Sequence, residues 1–383
     1  MGGSTTFERC QLCRSWKKPR GHCCPPTLAH FECQNLRSSF ISNKSERSSG
    51  GGAVYIFQSN VTFINNSFYG NSAIRGGALF TENISSIVIF DSLFQHNTAE
   101  IGGAIYSEND TFTVSDSEFC YNSAGTIGTS DTKGGSGGAM FLLDCVSNIA
   151  GSRFTSNSAR NFGGGFACER GTINIVYGYF HGNSAKVGCA LCSEYSLVSM
   201  GDSEFSHNNV HSAYNTTNDD LENQVGEGGA IFLMNCSSVI AGNAFTANSA
   251  NNSGGAVSTV QSTVMITGNG FELNNAYTGG AIAYTASDRI HISESNFTIN
   301  TSQFSGALYI RNGHVSITST NFYKNTGFLC GGAIFDEAVT SLSLTVTSVV
   351  ILHGLAVQYS CHFHGLKLAG VKLVMVRYIK EVE

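Results

Sequence analysis

A Phe-x-x-Asn pattern recurs eleven times along the chain, beginning at Phe40, Phe68, Phe94, Phe119, Phe154, Phe180, Phe205, Phe245, Phe271, Phe297 and Phe322. Neighbouring copies are 28, 26, 25, 35, 26, 25, 40, 26, 26 and 25 residues apart. A unit of about 25 residues cannot bury a core of its own, so the copies must stack on one another. Each copy is paired with a Gly-Gly-Ala element, at Gly51–Ala53, Gly76–Ala78, Gly102–Ala104, Gly137–Ala139, Gly228–Ala230, Gly254–Ala256, Gly279–Ala281 and Gly331–Ala333. Three copies are altered: Gly163-Gly164-Gly165, Gly188-Cys189-Ala190 and Ser305-Gly306-Ala307. From the third residue of this element to the next Phe the distance is always 15 or 16. The return distance is enlarged only after Phe119 and Phe205, by Gly/Ser/Asn/Asp-rich stretches near 123–136 and 209–227.

The intervening segments read as strands. Asn60-Val-Thr-Phe-Ile, Ser86-Ile-Val-Ile-Phe, Thr172-Ile-Asn-Ile-Val and His314-Val-Ser-Ile-Thr are short, β-branched and bounded by Gly, Asn, Asp or Ser. No window carries a helical period. Two or three short strands per unit, repeated in register, predict an all-β, single-stranded parallel β-helix of about 11–12 rungs, some 55 Å long at the strand spacing.

Each repeated residue has a structural task in such a rod. The Phe column, including Phe94, Phe119, Phe154 and Phe180, would stack rings inside the coil. The Asn column, including Asn71, Asn97, Asn122, Asn157, Asn183, Asn248, Asn274 and Asn300, would form an amide ladder at a corner and supply its left-handed backbone. The Gly pair suits a tight turn. The residue after Ala is apolar in every copy, from Val54 to Ile334, and should point inward. The next residue is aromatic in seven of the eleven: Tyr55, Phe80, Tyr106, Phe141, Phe232, Tyr309 and Phe335. Outward, these rings make a stripe suited to sugar stacking or protein contact; inward, they are core.

Composition sets the boundaries. All three prolines and the only Trp precede residue 27, as a continuous ladder requires, since proline lacks the N–H donor. Residues 1–50 carry a net charge of +5, residues 51–350 carry −13, and the remainder +2. An acidic rod argues against nucleic acid as partner. The chain therefore divides into a Cys-rich basic flank or cap (1–39), a repeat region (40–347) and a tail of capping strands or degenerate repeat (348–383). In that tail the next Phe is due at 348 or 349, where Ser348 and Val349 stand. The apolar run Leu342–Val357 is short for a membrane span. Lys367, Lys372 and Arg377 would blunt an open sheet edge. Met1–Lys18 lacks the apolar stretch of a cleavable leader, and Met1-Gly2 with Thr6 matches a loose myristoylation pattern. A fragment of a longer chain fits these termini equally well.

Candidate sites are scattered. Cys10, Cys13, Cys23, Cys24 and Cys33, with His22 and His30, have spacings open to a zinc site or to a disulfide-stapled cap. Cys145 and Cys236 occupy one repeat position three rungs apart, too far to bond. The rod cysteines read as small buried fillers. Ten Asn-x-Ser/Thr sequons occur; Asn60, Asn83, Asn109, Asn215 and Asn251 are the candidate glycosylation positions, with Asn43, Asn65, Asn235, Asn296 and Asn300 completing the set. Carboxylates recur at Glu82, Glu108, Glu169, Glu194 and Glu337, and three before Phe at Asp91, Asp116, Asp202 and Glu294. They suit a solvated face, a bridging cation or an acid/base pair. Gly134-Gly-Ser136-Gly-Gly138 matches a nucleophile motif but lies in an insertion. His362 and His364 beside Cys361 could bind metal.

The run Phe94-x-x-Asn97-x-Ala99-x-x-Gly102-Gly-Ala-Ile-Tyr106 resembles the repeat of the chlamydial polymorphic outer membrane proteins, and the likeness extends over about residues 40–347. The resemblance implies a right-handed, pectin-lyase-like β-helix displayed outside the cell and used for adhesion. In that family the helix precedes a membrane barrel, for which the residues after 347 leave no room. The expectation is a passenger-like, extracellular or cell-surface scaffold that binds protein or glycan, without catalysis or cofactor; any membrane association would come from flanking regions. The alternative is a carbohydrate-active lyase or hydrolase on the same fold.

Overall fold

The computed structural model describes residues 4–6, 9–10, 32–46, 50–125, 134–210, 226–337, 341–353, 357–360, 367–368 and 373–375. Every regular element among them is a strand. Each repeat makes one coil of a parallel β-solenoid, and a regular coil holds four short strands rather than two or three, which merge in the later coils into Ile282–Ser293 and Leu308–Gly327. In one coil these are Leu79–Glu82, Ser86–Phe90, Leu93–Gln95 and Thr98–Ile101. We call them the glycine strand, the middle strand, the Phe strand and the short strand. Each pairs in parallel with its counterpart in the next coil: Leu79 faces Ile105, Ile87 faces Phe112, Phe94 faces Phe119 and Ala99 faces Ala124.

The extra strands arise because most corners turn on a single left-handed residue, although Asn83 is followed by a second one, Ile84. Asn83, Asp91, His96 and Gly102 bound the four strands of that coil, with φ of 68°, 46°, 55° and 63°. One such residue turns the chain to the next side of the coil without a loop, so the segments between corners stay extended. At the Asn corner the left-handed residue precedes the Asn rather than being it. Ser42, Gly70, His96, Tyr121, Ser156, Gly182, His207, Ala247, Leu273, Ile299 and Lys324 all take this conformation, and the Asn side chain is thereby turned inward.

The Gly pair divides its work. The first glycine is left-handed in most coils. The second lies against the coil above: a Cβ on Gly103 would stand 2.0 Å from the Gly138 oxygen and 2.6 Å from the Ser123 oxygen. Cys189 fills this second position in one coil, and its side chain is buried with Ala124, Ala159 and Ala185. The coil that Cys189 opens ends at the 211–225 segment.

The lumen is dry. Eleven Phe rings from Phe40 to Phe322 stack with centroids 4.5–5.0 Å apart and planes within 11°. Inward residues of the glycine and middle strands, such as Leu79, Ile105, Ile87 and Ile89, complete the core.

Both ends continue the ladder. Ser4–Thr6 and Arg9–Cys10 pair antiparallel with Ser39–Ile41 and with Asn35–Leu36, covering the first coil's edge. Ser341–His353 places Val349 opposite Phe322, and Leu373–Met375 pairs on Val349–Ile351. The segment considered for a membrane span thus begins as a ladder strand. Among the described residues no helix is long and apolar enough to cross a membrane.

Candidate functional site

The repeated side chains are consumed by the frame. In the interior of the Asn column each amide is fully bonded. Asn183 Nδ2 donates to Asn208 Oδ1 at 3.0 Å and to the Phe154 carbonyl at 2.8 Å, while its Oδ1 accepts from the backbone N and Nδ2 of Asn157 at 3.1 and 3.0 Å. Asn71, Asn97, Asn122, Asn157, Asn248, Asn274 and Asn300 repeat the arrangement. A second ladder escaped the sequence reading. Two residues before the Phe, most coils carry a small residue whose oxygen accepts the backbone N–H of the previous coil, as Ser117 Oγ does from Ser92 and Asn243 Oδ1 from Ser203. Its signal was present, but Ser, Asn, Gly and Thr share the position and blur it.

The aromatic position after the inward residue matches neither reading as stated. These rings lie outside the lumen yet are covered. Phe80, Tyr106 and Phe141 cluster with Ile101, and Phe232 clusters with Val187 and Phe162. The residue just before the Gly pair folds over them. Tyr55 opens to solvent at 42% exposure and Tyr309 is half-buried, whereas the last member, Phe335, is buried. The stripe is a satellite core rather than a continuous sticky surface.

The paired carboxylates stand opposite one another: Glu82 faces Glu108 and Glu169 faces Glu194 across adjacent coils. Tyr55 donates its hydroxyl to Glu82, Tyr106 donates to Glu108 at 3.2 Å, and Arg170 binds Glu169. Asp91, Asp116, Asp202 and Glu294 each occupy a left-handed corner. Three buried carboxylates are new, Glu100, Asp110 and Glu227. Asp110 is raised above its ordinary pKa by burial, although Ser107 Oγ and the Ser85 N–H bond it. Glu227 is pushed up to about 7 by burial, with Ser258 Oγ donating at 3.1 Å. Their positions in other coils hold mainly uncharged residues, so no repeat announces them. Among the described residues no three His, Cys, Asp or Glu side chains could hold a metal ion together.

Cys120, Cys145, Cys168, Cys189, Cys192 and Cys236 are buried free thiols. Burial pushes Cys145 up to about 11 and Cys120, Cys168 and Cys189 up to about 12. At such values they are inert as nucleophiles. The zinc-spaced residues between Cys10 and Cys33, and the group Cys361, His362 and His364, lie outside the described side chains.

Of the sequons, Asn83, Asn109 and Asn251 are exposed, as are Asn65 and Asn296, and Asn60 is half-buried at a strand start. Asn300 is buried in the amide ladder and Asn43 donates to Asn71, so neither offers a free amide. Asn215 lies outside the described residues.

The two insertions leave one corner. Both follow a short strand, Ser123–Ala124 and Asn209–Val210, which are linked through Ser158–Ala159 and Ser184–Ala185, three coils apart. Elsewhere an open groove of about 550 Å³ runs along the corner between glycine and middle strands over five coils. One bank is the row Asp144, Arg170, Tyr195, Asn235 and Gln261; the other includes Val146, Thr172, Leu197 and Thr263. Tyr195 and Leu197 are 58% and 57% exposed. Arg170 binds Asp144 through two 2.9 Å hydrogen bonds.

Residues 91–108 match the family model described as the Chlamydia polymorphic membrane protein (Chlamydia_PMP) repeat. This chain carries that repeat. The matched stretch holds Phe94, Asn97 and Gly102, the residues that make the ring stack, the amide ladder and the tight turn. No curated protein matches the chain. Among solved structures, the periplasmic alginate epimerase AlgG shares 8% identity at a TM-score of 0.38, over 89% of this chain and 85% of that one. A point mutant of the same epimerase gives 0.31 at the same identity and coverage. Neither likeness bears on activity.

Proposed function

We propose that this protein is an extracellular or cell-surface scaffold that binds partners along its flank and does no catalysis. One observation carries the reading: the residues that recur are turned inward and bonded to each other, whereas the outward residue at each corner varies freely. A repeat selected for chemistry would hold its reactive groups toward solvent. The repeat family supports a surface location, because its description names a membrane protein. Protein or glycan at a cell surface is the partner class that an acidic rod accommodates.

The two insertions on one corner are the first place to test. Deleting both 126–133 and 211–225 should abolish binding of the purified chain to cells while leaving its thermal unfolding cooperative. Undiminished cell binding by the double deletion would remove the insertions from the role.

A further inference from the structure

We infer that the groove between glycine and middle strands binds a linear, uncharged, hydroxyl-rich chain, a neutral glycan. This deepens the partner-binding reading and rests on it.

One bank of the groove is made by side chains that take no part in the core. Asp144, Arg170, Tyr195, Asn235 and Gln261 occupy one left-handed position in successive coils, with φ between 49° and 55°. Left-handed backbone favours Gly, Asn and Asp. Arg, Tyr and Gln pay a conformational cost there, and their outward side chains fill no core. Tyr195 lies open between two polar neighbours on the bank.

Ligand class follows by chemistry. The flanking strands are paired on both sides, as Leu191–Glu194 is with Phe166–Glu169 and Ile231–Met234, so no edge is open to an added peptide strand. Arg170 is already bonded to Asp144 and Glu169, so a polyanion would find no free cation in this row. The groove is open and its floor is Cys145, Gly171, Ser196 and Cys236, which gives an apolar ligand no enclosure. What remains is a hydroxylated chain. Tyr195 offers a flat face with a polar tip. Asn235 and Gln261 each offer a donor and an acceptor side by side, the set that adjacent hydroxyls need. The residues repeat once per coil, so the contacts suit a polymer lying along the rod axis. The bidentate Arg170–Asp144 bond holds one end of the bank in place before binding.

The test is calorimetric titration of the full chain with malto-, cello-, xylo- and manno-oligosaccharides, and with oligogalacturonate as the acidic arm. One neutral series should bind. Tyr195→Ala should weaken it about tenfold, the scale of one aromatic contact. Tyr177→Ala, an exposed ring at the next corner, should leave it unchanged. Absence of any neutral binding at millimolar concentration, tighter binding of oligogalacturonate, or an unaltered Tyr195→Ala would overturn the inference. If cell binding persists in that case, the ligand class fails and the scaffold reading stands; if cell binding also fails, the scaffold reading fails with it.

Discussion

Two corners of the same coil obey opposite rules. At the corner after the Phe strand, the inward residue is Asn in all eleven coils. At the corner after the glycine strand, the inward residue is Ser59, Ser85, Asp110, Cys145, Gly171, Ser196, Cys236 or Ser262 in turn. The difference is geometric. The Asn position must supply two donors and accept two, which only an amide side chain can do. The other corner asks for a single acceptor, as when Ser59 N bonds Ser85 Oγ or Cys236 N bonds Ser262 Oγ. The first corner therefore fixes sequence. The second tolerates variation, and the groove lies there.

The largest effect is expected where a third corner is tightest. Gly103→Ala puts a Cβ 2.0 Å from the Gly138 oxygen, and backbone cannot yield as a side chain can. Urea unfolding should show a loss of more than about 4 kcal/mol. Cys189→Ala, at the same coil position, should cost only about 1 kcal/mol. Equal losses would erase the distinction between regular coils and the coil that ends at the 211–225 segment.

Glu227 sharpens the contrast by pH. Its folded pKa, about 7, lies above the ordinary 4.5 because burial disfavours the charge. Between those values the folded state holds a proton that the unfolded state has released, so stability falls as pH rises from 4.5 through 7. The loss approaches about 3 kcal/mol above pH 7. Glu227→Gln should flatten that part of the stability profile. A profile with the same slope in both proteins would contradict the burial account.

A small gain is expected at the left-handed position before the Asn. Ala247 has φ 53°, which suits glycine better than an L side chain. Ala247→Gly should stabilise by about 0.5 kcal/mol, the surplus of the backbone term over the entropy lost. A destabilised variant would mean that the Ala methyl, rather than the backbone, matters there.

The sequence made the frame legible because the frame is periodic. Phe94, Asn97 and Gly102 announce a coil, and the inward residue after Ala follows from them. What was hidden lacks that periodicity or depends on neighbours outside the local pattern. The left-handed residue varies in type, so the pattern points to the Asn itself and not to the position before it. Phe80 and Phe141 alternate like surface residues, and only Ile101 folding across them makes them core. Asp110 and Glu227 occupy positions that other coils give mainly to uncharged residues. The groove was hidden for the same reason: Tyr195, Asn235 and Gln261 share a place in the coil but no residue type.

The measurement that bears most directly on the two-corner account is a paired urea denaturation of Asn183→Ala and Tyr195→Ala. Asn183→Ala leaves the Phe154 carbonyl and two donors of Asn157 without their partners and takes one of two donors from Asn208 Oδ1. It should cost about 4 kcal/mol. Tyr195→Ala, outward and exposed, should change stability by no more than about 0.5 kcal/mol. Comparable losses in the two variants would contradict the claim that one corner builds the rod and the other is free to bind.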